Sequence, residues 1–96
     1  MIVSFRHKGL EKFFLADRKS GIQPAHAEKL RERLTVLNVI KKITDIPAML
    51  ATAWDVHPLK GDLKGHYGLS VSGNWRLTFR FNRDENVELV DYIDYH

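Results

Sequence analysis

Residues 74–81 read NWRLTFRF, and the alternation in this stretch decides the fold. Trp75, Leu77, Phe79 and Phe81 recur at every second position, with Arg76, Thr78 and Arg80 between them. A period of two belongs to a strand with one face buried and the other facing water. The four apolar side chains point to a core, and the two guanidiniums and the hydroxyl point away from it.

The same period continues on both sides. HYGLSVS (66–72) alternates Tyr67, Leu69 and Val71, NRDEN (82–86) is a turn, and VELVDYIDYH (87–96) returns as a last strand. Upstream the pattern changes. IVSF (2–5) reads as a short opening strand, and KGLEKFFLAD (8–17) places Leu10, Phe13 and Phe14 on one helical face. RKSGIQP (18–24) breaks that helix, and Pro24 stands where helix starts accept proline. AHAEKLRERLTVLNVIKK (25–42) follows with Ala27, Leu30, Leu34 and Leu37 as its core stripe. Lys29, Arg31, Arg33, Lys41 and Lys42 fall mostly on the other sides. TDIPAMLATAW (44–54) is a connector with one more helical turn after Pro47.

Helices at one end of the chain and strands at the other predict an α+β fold. The expected architecture is a single small domain over residues 1–96, with a short N-terminal strand and two helices packed on a mainly antiparallel sheet. Its 96 residues suffice for one core. Cysteine is absent, which removes thiolate chemistry and fits a reducing cytoplasm. The first residues lack the apolar stretch of a signal peptide, and no apolar run approaches membrane length, so no membrane contact is expected. The net charge of +3 is unevenly spread. Residues 1–42 hold ten Lys/Arg against four Asp/Glu (+6), and residues 43–96 hold five against eight (−3). A basic half suits a polyanion such as RNA, and equally a solvated helix face.

Several side chains bear on chemistry. Arg76 and Arg80 on a wet sheet face can grip phosphate in a forked geometry; Arg80 has a second reading, an ion pair with Glu88 on the next strand. In the last strand Tyr92, Asp94 and His96 share a face if the strand is regular, and Asp91, Ile93 and Tyr95 share the opposite one. A histidine beside a carboxylate is poised for proton transfer near neutral pH; alone at a terminus it is as readily a bystander. HPLKGDLKG (57–65) adds His57 and Lys60 in a loop constrained by Pro58 and two glycines. The histidines at 7, 26, 57, 66 and 96 lack metal-ligand spacing, so neither metal nor other cofactor is expected.

Taken together, HPLKGDLKGHYGLSVSGNWRLTFRF, the ending DYIDYH and the opening MIVSFRHKGLEKFF resemble the HigB branch of the RelE/ParE toxin superfamily. The likeness covers most of the chain and is weakest over residues 40–55. It implies a type II toxin that enters the ribosomal decoding site of the 30S subunit and cuts mRNA there without metal. It also implies silencing by a cognate helix-turn-helix antitoxin, through which the pair would bind operator DNA. Carried over by position, the family's catalytic set is His57, Lys60, Arg76, Asp94, Tyr95 and His96; from the strand faces, Arg80 and Tyr92 are expected as RNA contacts. In that scheme Arg76 and Lys60 stabilise the five-coordinate phosphorus, His57 and His96 share base and acid work, Asp94 orients a histidine or takes the proton, and Tyr95 stacks or holds phosphate.

Two features depart from the family pattern. Gly68 stands where relatives often carry serine. Strict alternation also separates Tyr95 from Asp94 and His96, which predicts that the tail twists free of the sheet, or else that Tyr95 packs inward and Tyr92 serves the surface. The competing readings are a same-fold toxin that acts by binding protein, as the gyrase-poisoning ParE branch does, and a non-catalytic RNA-binding relative.

Overall fold

The computed structural model describes residues 1–95. Helix α1 spans Lys8–Ala16. It starts where His7 Nδ1 accepts the Leu10 N–H at 2.9 Å and ends on Asp17, whose φ of 55° lets its N–H close on the Lys12 and Phe13 carbonyls. The return loop passes very close to α1. A Cβ on Gly9 would lie 2.4 Å from the Gly21 carbonyl oxygen, so the contact needs glycine on both sides. Pro24 opens a 3₁₀ turn, Pro24–His26, that runs into α2, Ala27–Leu37. A third short helix, α3, Ala48–Ala53, follows Pro47.

Four antiparallel strands then form a sheet in chain order: β1 His57–Pro58, β2 Tyr67–Ser72, β3 Trp75–Phe81 and β4 Val87–Asp94. The α+β expectation therefore holds, with two additions, the edge strand β1 and helix α3. The opening strand is reduced to isolated parallel bridges, Ile2 with Val87 and Phe5 with Val90, along the outer edge of β4.

One sheet face meets the helices. Leu10 and Phe13 of α1 and Leu30, Leu34 and Leu37 of α2 close over Leu69, Val71, Leu77, Phe79, Val87, Val90 and Tyr92. Burying each large aliphatic or aromatic side chain stabilises the fold by about 1.5–3 kcal/mol, before chain entropy is counted. Arg33 corrects the expectation that the α2 cations face solvent. It is buried, its Nε donates to the Ser70 carbonyl at 2.8 Å, and its guanidinium lies 4.7 Å over the Trp54 ring. The Ser70 N–H in turn donates to the Trp54 carbonyl. Together these bonds cover the outer edge of β2 past the end of β1.

The β3–β4 pairing shifts by one residue between Thr78 and Arg80. The extra residue lies in β4, where Leu89 takes φ 56° and its N–H donates to Ser4 Oγ at 2.9 Å. This bulge sets which β4 side chains face the helices. Val87, Val90 and Tyr92 are buried there.

Candidate active site

The helix-free face of the sheet is built from the other half of each strand's alternation. Opposed residues of an antiparallel pair project to the same side. His57 lies opposite Gly68, Gly68 opposite Thr78, and Thr78 opposite Asp91, a single row across all four strands. The neighbouring row holds Ser70, Arg76 and Ile93. Where the rows meet the carboxyl end of the chain, His57, Leu59, Gly68, Arg76, Thr78 and Tyr95 line a small, shallow hollow. A larger groove runs along the outer face of α2 past Glu28, Lys29, Glu32, Thr35 and Val36, but its charges are mixed and it contains no histidine.

Two of the hollow's polar groups are fixed by backbone carbonyls. His57 Nδ1 lies 2.7 Å from the Asp55 carbonyl oxygen. A carbonyl only accepts, so Nδ1 carries the proton and the lone pair of the neutral ring sits on Nε2. Arg76 Nη1 donates to the Gly73 carbonyl at 2.7 Å and to the Trp75 carbonyl at 3.1 Å. Its Nε and Nη2 have no protein partner among the described residues. Among the described residues the guanidinium is thus held by one nitrogen, and the rest of its fork can serve an anion. The hairpin turn that holds it needs glycine at position 73, where φ is 56°. The same turn keeps the chain end in register, because the Tyr95 N–H donates to the Asn74 carbonyl at 2.7 Å.

Of the residues named from sequence, His57, Arg76 and Tyr95 share this hollow. Lys60 is exposed in the adjoining loop, one residue past Leu59, and does not line it. His96 lies outside the described residues. Asp94 pairs with Trp75 in the β3–β4 register, on the helix-facing side of the sheet, so it stands across the strand from Tyr95. The tail need not twist to bring Tyr95 to the arginine face. Alternation puts it there, because Arg76 opposes Ile93 and Tyr95 is two residues further on.

Tyr92 is corrected from surface RNA contact to core residue. It is 3% exposed, and its ring lies 4.5 Å from that of Trp75 and 5.3 Å from that of His7. Its hydroxyl is 2.6 Å from His26 Nδ1. Burial raises the phenol pKa, a Gln23 backbone N–H opposes that rise, and the Asp94 charge adds to it. Arg80 follows the ion-pair reading, its Nε donating to Glu88 Oε2 at 2.6 Å. On the basic half, Arg31 is tied to Asp17 and Glu28, which leaves Lys29, Lys41 and Lys42 as the exposed cations on and just after α2.

Sequence reasoning missed Thr78 and Gly68 as the floor of the hollow. Their place is visible in the parity of β3 and β2, since both alternate with core residues. It also missed His66, which is buried with neither ring nitrogen hydrogen-bonded among the described residues.

A family model described as the RelE-like toxin of type II toxin–antitoxin system HigB matches residues 3–96. The chain is 33% identical over 96 residues to "Endoribonuclease HigB" of Proteus vulgaris, with both chains covered in full. It is 28% identical over 97 residues to "Toxin HigB-1" of Vibrio cholerae serotype O1, covering 100% of this chain and 98% of that one.

Proposed function

The chain belongs to the HigB family of RelE-like toxins of type II toxin–antitoxin systems, and from that premise we propose that it is an endoribonuclease that cuts mRNA in the decoding site of the ribosome. Membership of such a family implies an antitoxin partner. We take that partner to be a helix-turn-helix protein that also supplies operator binding, and the site of action to be the cytoplasm. No helix among the described residues is long and apolar enough to cross a membrane.

The observation that supports this reading is the convergence of an oriented imidazole, a half-open guanidinium and a tyrosine on one hollow. His57 Nε2 takes the proton of a ribose 2′-hydroxyl, and the 2′-oxygen attacks the adjacent phosphorus. Arg76 stabilises the charge that gathers on the phosphoryl oxygens, often the largest single contribution in such sites. The P–O5′ bond breaks and the leaving oxygen is protonated, giving a 2′,3′-cyclic phosphate and a 5′-hydroxyl. His96 is assigned as the acid, and Asp94 as the carboxylate that orients the terminus from the other side of the strand. Lys60 enters from its loop as a second cation, and Tyr95 stacks on a base. Every step uses protein groups, so the reading calls for no metal.

Charge supports dependence on the ribosome. A net +3, with Arg31 and Arg33 committed to internal contacts, gives little counterion-release affinity for free RNA. The ribosome would supply the alignment instead. The test is primer extension on a defined mRNA, free or on translating 70S ribosomes, with purified protein. Cleavage is expected on the ribosome and little in its absence. Equal cutting of both would remove the ribosome from the reading, and DNA breaks without RNA breaks would remove the nuclease.

A further inference from the structure

We propose that Thr78 is a further substrate-contacting residue, whose hydroxyl donates to a non-bridging oxygen of the scissile phosphodiester. The inference rests on the nuclease reading above and adds a group to that site.

The argument begins with parity. Leu77 and Phe79, on either side of Thr78, are fully buried toward the helices, so the Thr78 side chain projects the other way, into the floor of the hollow. It is only 4% exposed. Its hydroxyl is not one of the buried groups left unpaired among the described residues and lines the hollow, in contrast to Thr35, whose Oγ1 donates to the Arg31 carbonyl at 2.7 Å. Valine has the same shape, so packing alone does not call for an oxygen here.

Its surroundings fit an anion. Arg76 stands two residues away on the same face, about 7 Å along the strand, with part of its fork open. His57 lies in the Thr78 row with only Gly68 between them. Gly68 presents no side chain, and a Cβ there would press on Leu59 Cδ2 at 3.1 Å. The Leu59 side chain therefore lies over Gly68 and forms the apolar wall of the hollow between imidazole and hydroxyl. The one carboxylate in the row, Asp91, has its Oδ1 turned to the Tyr92 N–H at 2.9 Å. A phosphate oxygen entering the hollow beside Leu59 would have His57 on one side, Arg76 on another and the Thr78 hydroxyl at the floor.

The experiment compares Thr78→Val, Thr78→Ala and Thr78→Ser with wild type and Arg76→Ala, using mRNA on 70S ribosomes and measuring kcat and KM, with a thermal melt of each protein. Thr78→Val and Thr78→Ala should lose about ten- to hundredfold in kcat/KM, the range for a hydrogen bond to a charged group. Thr78→Ser should restore most of that loss, and the valine variant should melt no lower than wild type. Wild-type rates in both hydroxyl-free variants, or a serine variant as poor as valine, would overturn the assignment while Arg76→Ala still reports a working nuclease. If wild type cuts no mRNA, or Arg76→Ala cuts normally, the nuclease reading itself fails and the role of Thr78 falls with it.

Discussion

On one side of β3, Trp75, Leu77 and Phe79 meet the helices; on the other, Arg76, Thr78 and Arg80 meet a hollow and the solvent. The backbone is the same and the strands are the same, yet the two faces obey different rules. The helix side partners polar groups internally, as in the hydrogen bond between Tyr92 and His26. On the open side, among the described residues, Nε and Nη2 of Arg76 make no protein hydrogen bond. Unmatched donors stabilise nothing in the free protein; they are useful only toward something that arrives. The helix face therefore accounts for stability and the open face for recognition, and substitutions should separate the two.

The largest effect is expected on the helix side. Phe79 is fully buried between helices and sheet, so Phe79→Ala should cost about 3–5 kcal/mol of stability, the transfer of the ring plus the cavity it leaves. A chemical-denaturation midpoint would register this, and activity would fall only with the folded population. On the open side Arg76→Ala should do the reverse. Removing the main donor to the developing charge should slow mRNA cleavage by about 10²–10³-fold, with stability changed by no more than about 0.5 kcal/mol. A variant that lost fold and cleavage in parallel would break the division.

How much of this division was legible in the sequence follows from which signals are local. The period of two in residues 74–81 is local, so the parity of Arg76 and Phe79 could be read directly. The parity of β4 relative to β3 is not local. It depends on the bulge at Leu89, held by Ser4 from the far end of the chain, and a shift of one residue exchanges every side chain between faces. For that reason Tyr92 and Asp94 were expected beside His96 on the working surface, whereas Tyr95 joins Arg76 and His57. Arg33 was misread for a related cause. Helical spacing says where a side chain starts, but not that a carbonyl on β2 and the Trp54 ring receive it. Strand β1 was invisible because two residues, one of them proline, have no period.

A smaller effect tests the internal partnering on the helix side. Tyr92→Phe keeps the ring against Trp75 and deletes the hydroxyl bond to His26, which should cost about 1 kcal/mol. Acid should act on the same pair. Burial first, then the charge of Lys29, lowers the His26 pKa below its ordinary 6.5. The folded state thus favours neutral His26 more than the unfolded chain does. Its contribution is complete above 6.5 and is lost as pH falls from there through the lowered folded value. Melting temperatures from pH 7.5 to 5 should fall on the acid side in wild type and fall less in His26→Gln. A steeper fall in the variant would contradict the assignment.

The smallest effect lies within the open face, between two arginines on one strand. Arg80 has a carboxylate at 2.6 Å and Arg76 has only carbonyls. A guanidinium already matched by Glu88 has little left for a phosphate, and an exposed ion pair is worth only about 0.2–1 kcal/mol. Arg80→Gln should accordingly change stability by no more than that amount and cleavage by less than about fivefold, far from the loss at Arg76. Glu88→Gln sharpens the point from the other direction. It releases Arg80 without touching the hollow, so binding to ribosome-bound mRNA should strengthen slightly, and more at low salt than at high. If Arg80→Gln were as damaging as Arg76→Ala, the ion pair would have to open in the working complex, and the recognition surface would extend further along β3 than the hollow itself.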